Sequence, residues 1–209
     1  MNLPMNTHLS LLLQRCPALE PIIPDVQKAY EMICATYEKQ GSLYLCGNGG
    51  SAADCEHWSG ELLKGFSHKR PLSSIEKAKL SPELASKLQG SLPAIPLTGF
   101  LGLSTAFAND VDPQLIYAQL LWGLGKPNDT LIAISTSGNA QNVRHTLEVA
   151  RAKGIQTIGF SGKTGGAIKP LCDLCLCVPE TETYRIQEYH LPIYHCLCLM
   201  LEEKFFPPA

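Results

Sequence analysis

Residues 43–66 read LYLCGNGGSAADCEHWSGELLKGF, and their order is strand, glycine-rich turn, helix. Leu43 to Cys46 form a short apolar run suited to a buried strand. Gly47, Asn48, Gly49, Gly50 and Ser51 carry no bulky side chain, so the backbone can bring its N–H groups close to a ligand. Ser51 is a good N-cap for the helix that follows, whose free N–H groups and dipole favour an anion. On that helix His57 and Glu61 stand one turn apart on a single face. An imidazole and a carboxylate so placed can share a metal or divide acid–base work. Two plainer readings stay open: a tight strand–helix connection, and a solvated helix face.

A second unit of the same kind lies downstream. Thr130–Ser135 (TLIAIS) is strongly apolar, Thr136-Ser137-Gly138-Asn139 is a small hydroxylated turn, and Ala140–Lys153 is an amphipathic helix closed by Gly154. Ile155–Phe160 and Leu174–Val178 supply further strands, and Ala94–Thr98 another. Strands alternating with helices argue for a parallel sheet between helical layers, with ligands at the carboxyl ends of the strands. Ser161-Gly162-Lys163-Thr164-Gly165-Gly166 lacks the glycine and lysine spacing of a P-loop.

The remainder frames these units as one domain over 1–209. Residues 1–40 hold N-terminal helices divided by Pro21 and Pro24, the longer one expected over Asp25–Lys39. They pack on another subunit or on their own sheet. Lys69-Arg70-Pro71 closes the first core helix region. Residues 72–93 form a polar segment with its own helix, started by Ser81-Pro82, and serve as a lid or a neutral insertion. Asp112-Pro113 opens a helix to Leu124, and a last helix runs from Tyr184 to Phe205 with Pro192 to kink it or shift its start.

Composition narrows the function classes. The 209 residues are 45% hydrophobic and 17% charged with a net charge of −2, so no basic footprint marks direct nucleic-acid binding. No apolar run is long enough for a membrane span, and the N-terminus lacks the basic start and cleavage site of a secretory signal, so a cytoplasmic protein is expected. The odd count of nine cysteines fits free thiols, with Cys172, Cys175 and Cys177 read as alternating strand residues rather than a metal motif.

With GNGGSAADCEHWSGE, AND, STSGN and RIQEYHLPIYH in view, the chain resembles the phosphoheptose isomerases, single-domain sugar isomerase (SIS) proteins acting on sedoheptulose 7-phosphate. The resemblance spans nearly the whole length. It implies an α/β three-layer sandwich of flavodoxin-like order with a central, mostly parallel sheet. It implies that Ser135, Thr136 and Ser137 bind the phosphate, that Asn48, Gly49, Gly50 and Ser51 contact the sugar, and that Asn109 and Asp110 hold its hydroxyls. By the same similarity His57, Glu61, Gln187 and His195 correspond to a zinc site, and Glu61 with His195 to the acid–base pair, Gln187 also touching substrate. The implied assembly is a homotetramer with sites at subunit boundaries. Gln187 and His195 are eight positions apart, roughly 12 Å along a straight helix, so one site using both needs a bent helix, converging side chains or a neighbouring subunit.

Departures touch the substrate more than the reaction. Tyr184 replaces an aspartate frequent in the family, Ala140 a serine, and Gly65, with Lys64 beside it, a basic residue. Beside the heptose-phosphate isomerase stand two alternatives: an isomerase of another sugar phosphate, and a non-catalytic SIS protein that senses a sugar phosphate or binds a partner, one relative being associated with the replication initiator. The joint presence of Glu61 and His195 favours the enzyme.

Overall fold

The computed structural model describes residues 6–207. Five strands, β1 (Leu43–Cys46), β2 (Ala94–Pro96), β3 (Thr130–Ile134), β4 (Gln156–Ser161) and β5 (Leu174–Cys177), form one sheet. All neighbours are parallel, in the order β2-β1-β3-β4-β5. This is the flavodoxin-like doubly wound order, whose connections reverse between β1 and β3. The two turns singled out above therefore lie side by side at that reversal.

Side chains alternate along each strand, and the two sets enter two cores. Leu43, Leu45, Ile132, Ile134, Ile158 and Phe160 pack under α2 (Ile23–Glu38), α3 (Gly50–Leu63) and α9 (Thr183–Phe205). Tyr44, Cys46, Leu131 and Ala133 face the other way, under α7 (Ile116–Leu124) and α8 (Gln141–Ala152). The expected three-layer sandwich is thus present.

Several boundaries differ from expectation for local reasons. The second N-terminal helix starts at Ile23, because Pro24 sits in its first turn where a missing N–H costs nothing. Pro21 lies in a 3-10 turn, Pro17–Ile22, that links it to α1 (Thr7–Arg15). α3 stops at Leu63, well before Lys69. α6 (Leu101–Asp110) is a full helix that buries none of its residues. Residues 72–93 carry α4 (Ser74–Lys77) and α5 (Pro82–Lys87), both also without a buried residue. α9 runs through Pro192 as one helix.

α3 and α9 pack in the same direction. Near their starts, a Cβ built on Gly50 would stand 2.5 Å from Gln187 Nε2. About two turns further along α9, Tyr194 meets Asp54 and His57. Beyond the end of α3, Phe66 and Ser67 meet Glu202. No described helix is long and apolar enough to cross a membrane.

Candidate functional site

Two clusters stand out, one at each end of α3. The first is a cavity of about 180 Å³ between the two turns, lined by Asn48, Ser51, Ser135, Thr136, Ser137 and Ala140 among others. The second turn is held tightly. Gly138 takes φ +69°, and a side chain there would run into the backbone of Gly165 and Gly166. Ser137 Oγ accepts from Asn139 N at 3.2 Å, and buried Ser135 Oγ accepts from Ala140 N at 3.5 Å. Hydroxyls and N–H groups thus converge at the start of α8, where the helix dipole favours a dianion. Ser51 lines this cavity without capping α3. The N-cap is Gly49, at φ +57° with no side-chain bond, because the tight turn needs a residue free of Cβ there.

Asn142 went unnoticed in the sequence. Its amide and that of Asn48 exchange two hydrogen bonds of 2.9 Å, tying the first turn to α8. No motif announces such a pair between residues so distant in the chain. Asn109 and Asp110 bond to each other at 2.9 Å on exposed α6 and do not line the cavity.

The second cluster gathers His57, Glu61 and His195. His57 Nε2 stands 3.3 Å from Glu61 Oε1, and Lys64 Nζ 3.3 Å from Glu61 Oε2, so Lys64 supplies the cation that Gly65 lacks. The His57 and His195 rings lie 5.1 Å apart, edge to face. His195 Nε2 is buried and has no hydrogen-bond partner. Burial first, and then the neighbouring His57, lower its pKa, which favours the neutral ring. Tyr194, also unmarked in the sequence, bridges Asp54 and His57: its hydroxyl donates to Asp54 Oδ1 at 3.2 Å and stands 2.9 Å from His57 Nδ1. Burial pushes the Asp54 carboxyl up.

Gln187 does not join this group. It lies against Gly50, at the far end of α3 from Glu61. Because α9 is unbroken, Gln187 and His195 stay roughly 12 Å apart along it. The four implied zinc donors therefore do not fit one ion within one chain. Among the described residues no group of three or more His, Cys, Asp or Glu is disposed to hold a metal. The cysteines are free, and those of β5 lie on the strand as expected.

Comparison with known proteins agrees with this arrangement. Residues 19–162 match the SIS domain family. A phosphoheptose isomerase of a Nitratiruptor species is 41% identical over 168 residues, 80% of this chain and 80% of that protein. One from Trichlorobacter lovleyi is 38% identical over 181 residues, 87% of this chain and 83% of the relative. The structure of a phosphoheptose isomerase from Neisseria gonorrhoeae superposes with a TM-score of 0.75 at 27% identity, over 94% of this chain and 95% of that one. A strand order that joins two phosphate-type turns, and relatives this similar over most of their length, place the chain in the phosphoheptose isomerase branch of the SIS-domain family.

Proposed function

We propose that the protein interconverts sedoheptulose 7-phosphate and D-glycero-D-manno-heptose 7-phosphate. The carrying observation is one cluster in which Glu61 is held by His57 and Lys64, and the ring of His195, whose Nε2 is unpartnered, lies 5.1 Å from that of His57. Ketose-to-aldose isomerisation needs a carboxylate to take a proton from C1 and return it to C2, through an enediol. It also needs a group to give a proton to the C2 oxygen and take one from the C1 oxygen. Glu61 is the carbon base and His195 the oxygen acid–base. A histidine with a depressed pKa is neutral at pH 7 and passes protons without holding a charge. Ser135, Thr136 and Ser137 hold the phosphate, with Asn48 and Ser51 on the sugar side of the same cavity. Asn109, Asp110 and Gln187 belong to this reading as sugar-contacting groups.

Glu61 lies roughly 16 Å down α3 from its start beside the phosphate turn. That distance favours a site completed by a second copy, the phosphate turn of one chain facing the Glu61–His195 cluster of another. α6 with its unburied apolar residues, Leu101 at 75% exposure among them, offers a surface for such assembly into a homotetramer. A zinc ion would likewise take donors from two copies, since Gln187 and His195 of one chain do not meet.

The test is an NMR time course with sedoheptulose 7-phosphate. New aldose signals, abolished in Glu61→Gln while phosphate-ligand shifts persist, support the reading. Near-normal turnover by the variant removes Glu61 from the mechanism, and binding without conversion favours the sensor alternative. Mixing Glu61→Gln with Ser137→Ala chains should restore turnover at the wild-type KM if the site is shared, because it pairs an intact phosphate turn with an intact Glu61.

A further inference from the structure

Arg70 and Glu202 are buried charges that the reaction does not use, with side-chain exposures of 0% and 1%. Arg70 Nε donates to Glu202 Oε1 at 2.7 Å. The same guanidinium donates from Nη1 to the Leu62 carbonyl at 2.7 Å and from Nη2 to the Glu61 carbonyl at 3.1 Å. It therefore grips the carbonyls at the end of α3, including that of Glu61 itself. Glu202 also accepts from Phe66 N at 2.7 Å, Ser67 N at 2.8 Å and Ser67 Oγ at 2.6 Å. Glu202 follows His195 by two turns of α9 and so shares its face. The Phe66 ring, whose backbone Glu202 holds, lies 5.3 Å from the His195 ring.

We propose that the Arg70–Glu202 pair is a positioning clamp that fixes Glu61 on α3 relative to His195 on α9. The inference rests on the reading of Glu61 and His195 as the proton-transfer pair. Stability alone does not account for the clamp, because an apolar pair of similar volume serves a core as well or better. A fork of hydrogen bonds supplies what apolar packing lacks, a fixed direction and separation. A misplacement near 1 Å costs roughly 100-fold in rate.

The test compares Arg70→Met/Glu202→Gln, which removes the buried charges together, with Arg70→Lys and Glu61→Gln, each checked for native secondary structure and wild-type assembly. The expected result for the folded double variant is a fall in kcat of roughly 100-fold with KM little changed. Arg70→Lys keeps a charge for Glu202 but loses the fork, so its kcat should fall in between. A folded double variant with wild-type kcat overturns the clamp, as does a loss of kcat that only tracks the folded fraction. Retained turnover in Glu61→Gln instead overturns the assignment of the base.

Discussion

Lowering the pH from 7 to 5 should destabilise this protein through a residue outside the site, His190. Its side chain is fully buried on α9, edge-on to Phe160 at 5.5 Å, with Nε2 3.4 Å from the Ser161 carbonyl and Nδ1 unpartnered. Burial disfavours the imidazolium and lowers its pKa to about 4, against 6.5 when unfolded, the Ser161 contact opposing only part of this. The folded state therefore binds the proton less readily than the unfolded one. Stability is highest above pH 6.5 and falls as pH drops through 6.5 toward 4. At 1.36 kcal/mol per unit, the loss attributable to His190 is about 2 kcal/mol at pH 5 and about 3 kcal/mol once both states are protonated. Urea unfolding of wild type and His190→Gln at pH 7 and pH 5 isolates this amount, because the variant shares every other titrating group. Wild type should lose about 2 kcal/mol more than the variant over that interval. Equal losses would refute the argument that desolvation of His190 governs the slope.

Ser137→Ala should raise KM roughly tenfold or more at nearly unchanged kcat, since a hydrogen bond to a charged group contributes about 1.5–3 kcal/mol; steady-state kinetics with an unchanged KM would move the phosphate elsewhere. Gly138→Ala should cost about 2 kcal/mol or more, combining a left-handed backbone with collision against Gly165, and a thermal midpoint equal to wild type would contradict it. Tyr194→Phe removes the link between Asp54 and His57; kcat should fall about tenfold with the fold intact, and unchanged kinetics would show that His57 needs no such support.

The features legible in the sequence were those carried by short-range signals. β1 and β3 announced themselves as apolar runs ending in small-residue turns, and the alternation of strand with helix gave the parallel sheet. The spacing of Gln187 and His195 calls for a bent helix, converging side chains or a neighbouring subunit; α9 continues through Pro192 as one helix, with Gln187 against Gly50. Ser51 has the chemistry of a cap, yet the backbone places Gly49 in the left-handed region as the N-cap. Asn48 with Asn142, Tyr194 with Asp54, and Arg70 with Glu202 were invisible, since each joins residues far apart in the chain whose types are ordinary on any surface. Only folding makes them neighbours.

The base of the 72–93 segment suggests a use in engineering. Pro71 and Gln89 form an antiparallel bridge, Gly90 N donates to the Arg70 carbonyl at 2.7 Å, and Leu92 N to that of Leu62 at 2.9 Å. The chain thus leaves and re-enters the domain at adjacent points, while α4 and α5 between them bury nothing. Closing a longer or shorter loop across such a stitched base changes the entropy only slowly, by roughly 0.6 kcal/mol per doubling of length. The segment is a ready-made socket: a fluorescent reporter or affinity module grafted between its ends would leave the sheet and both turns undisturbed.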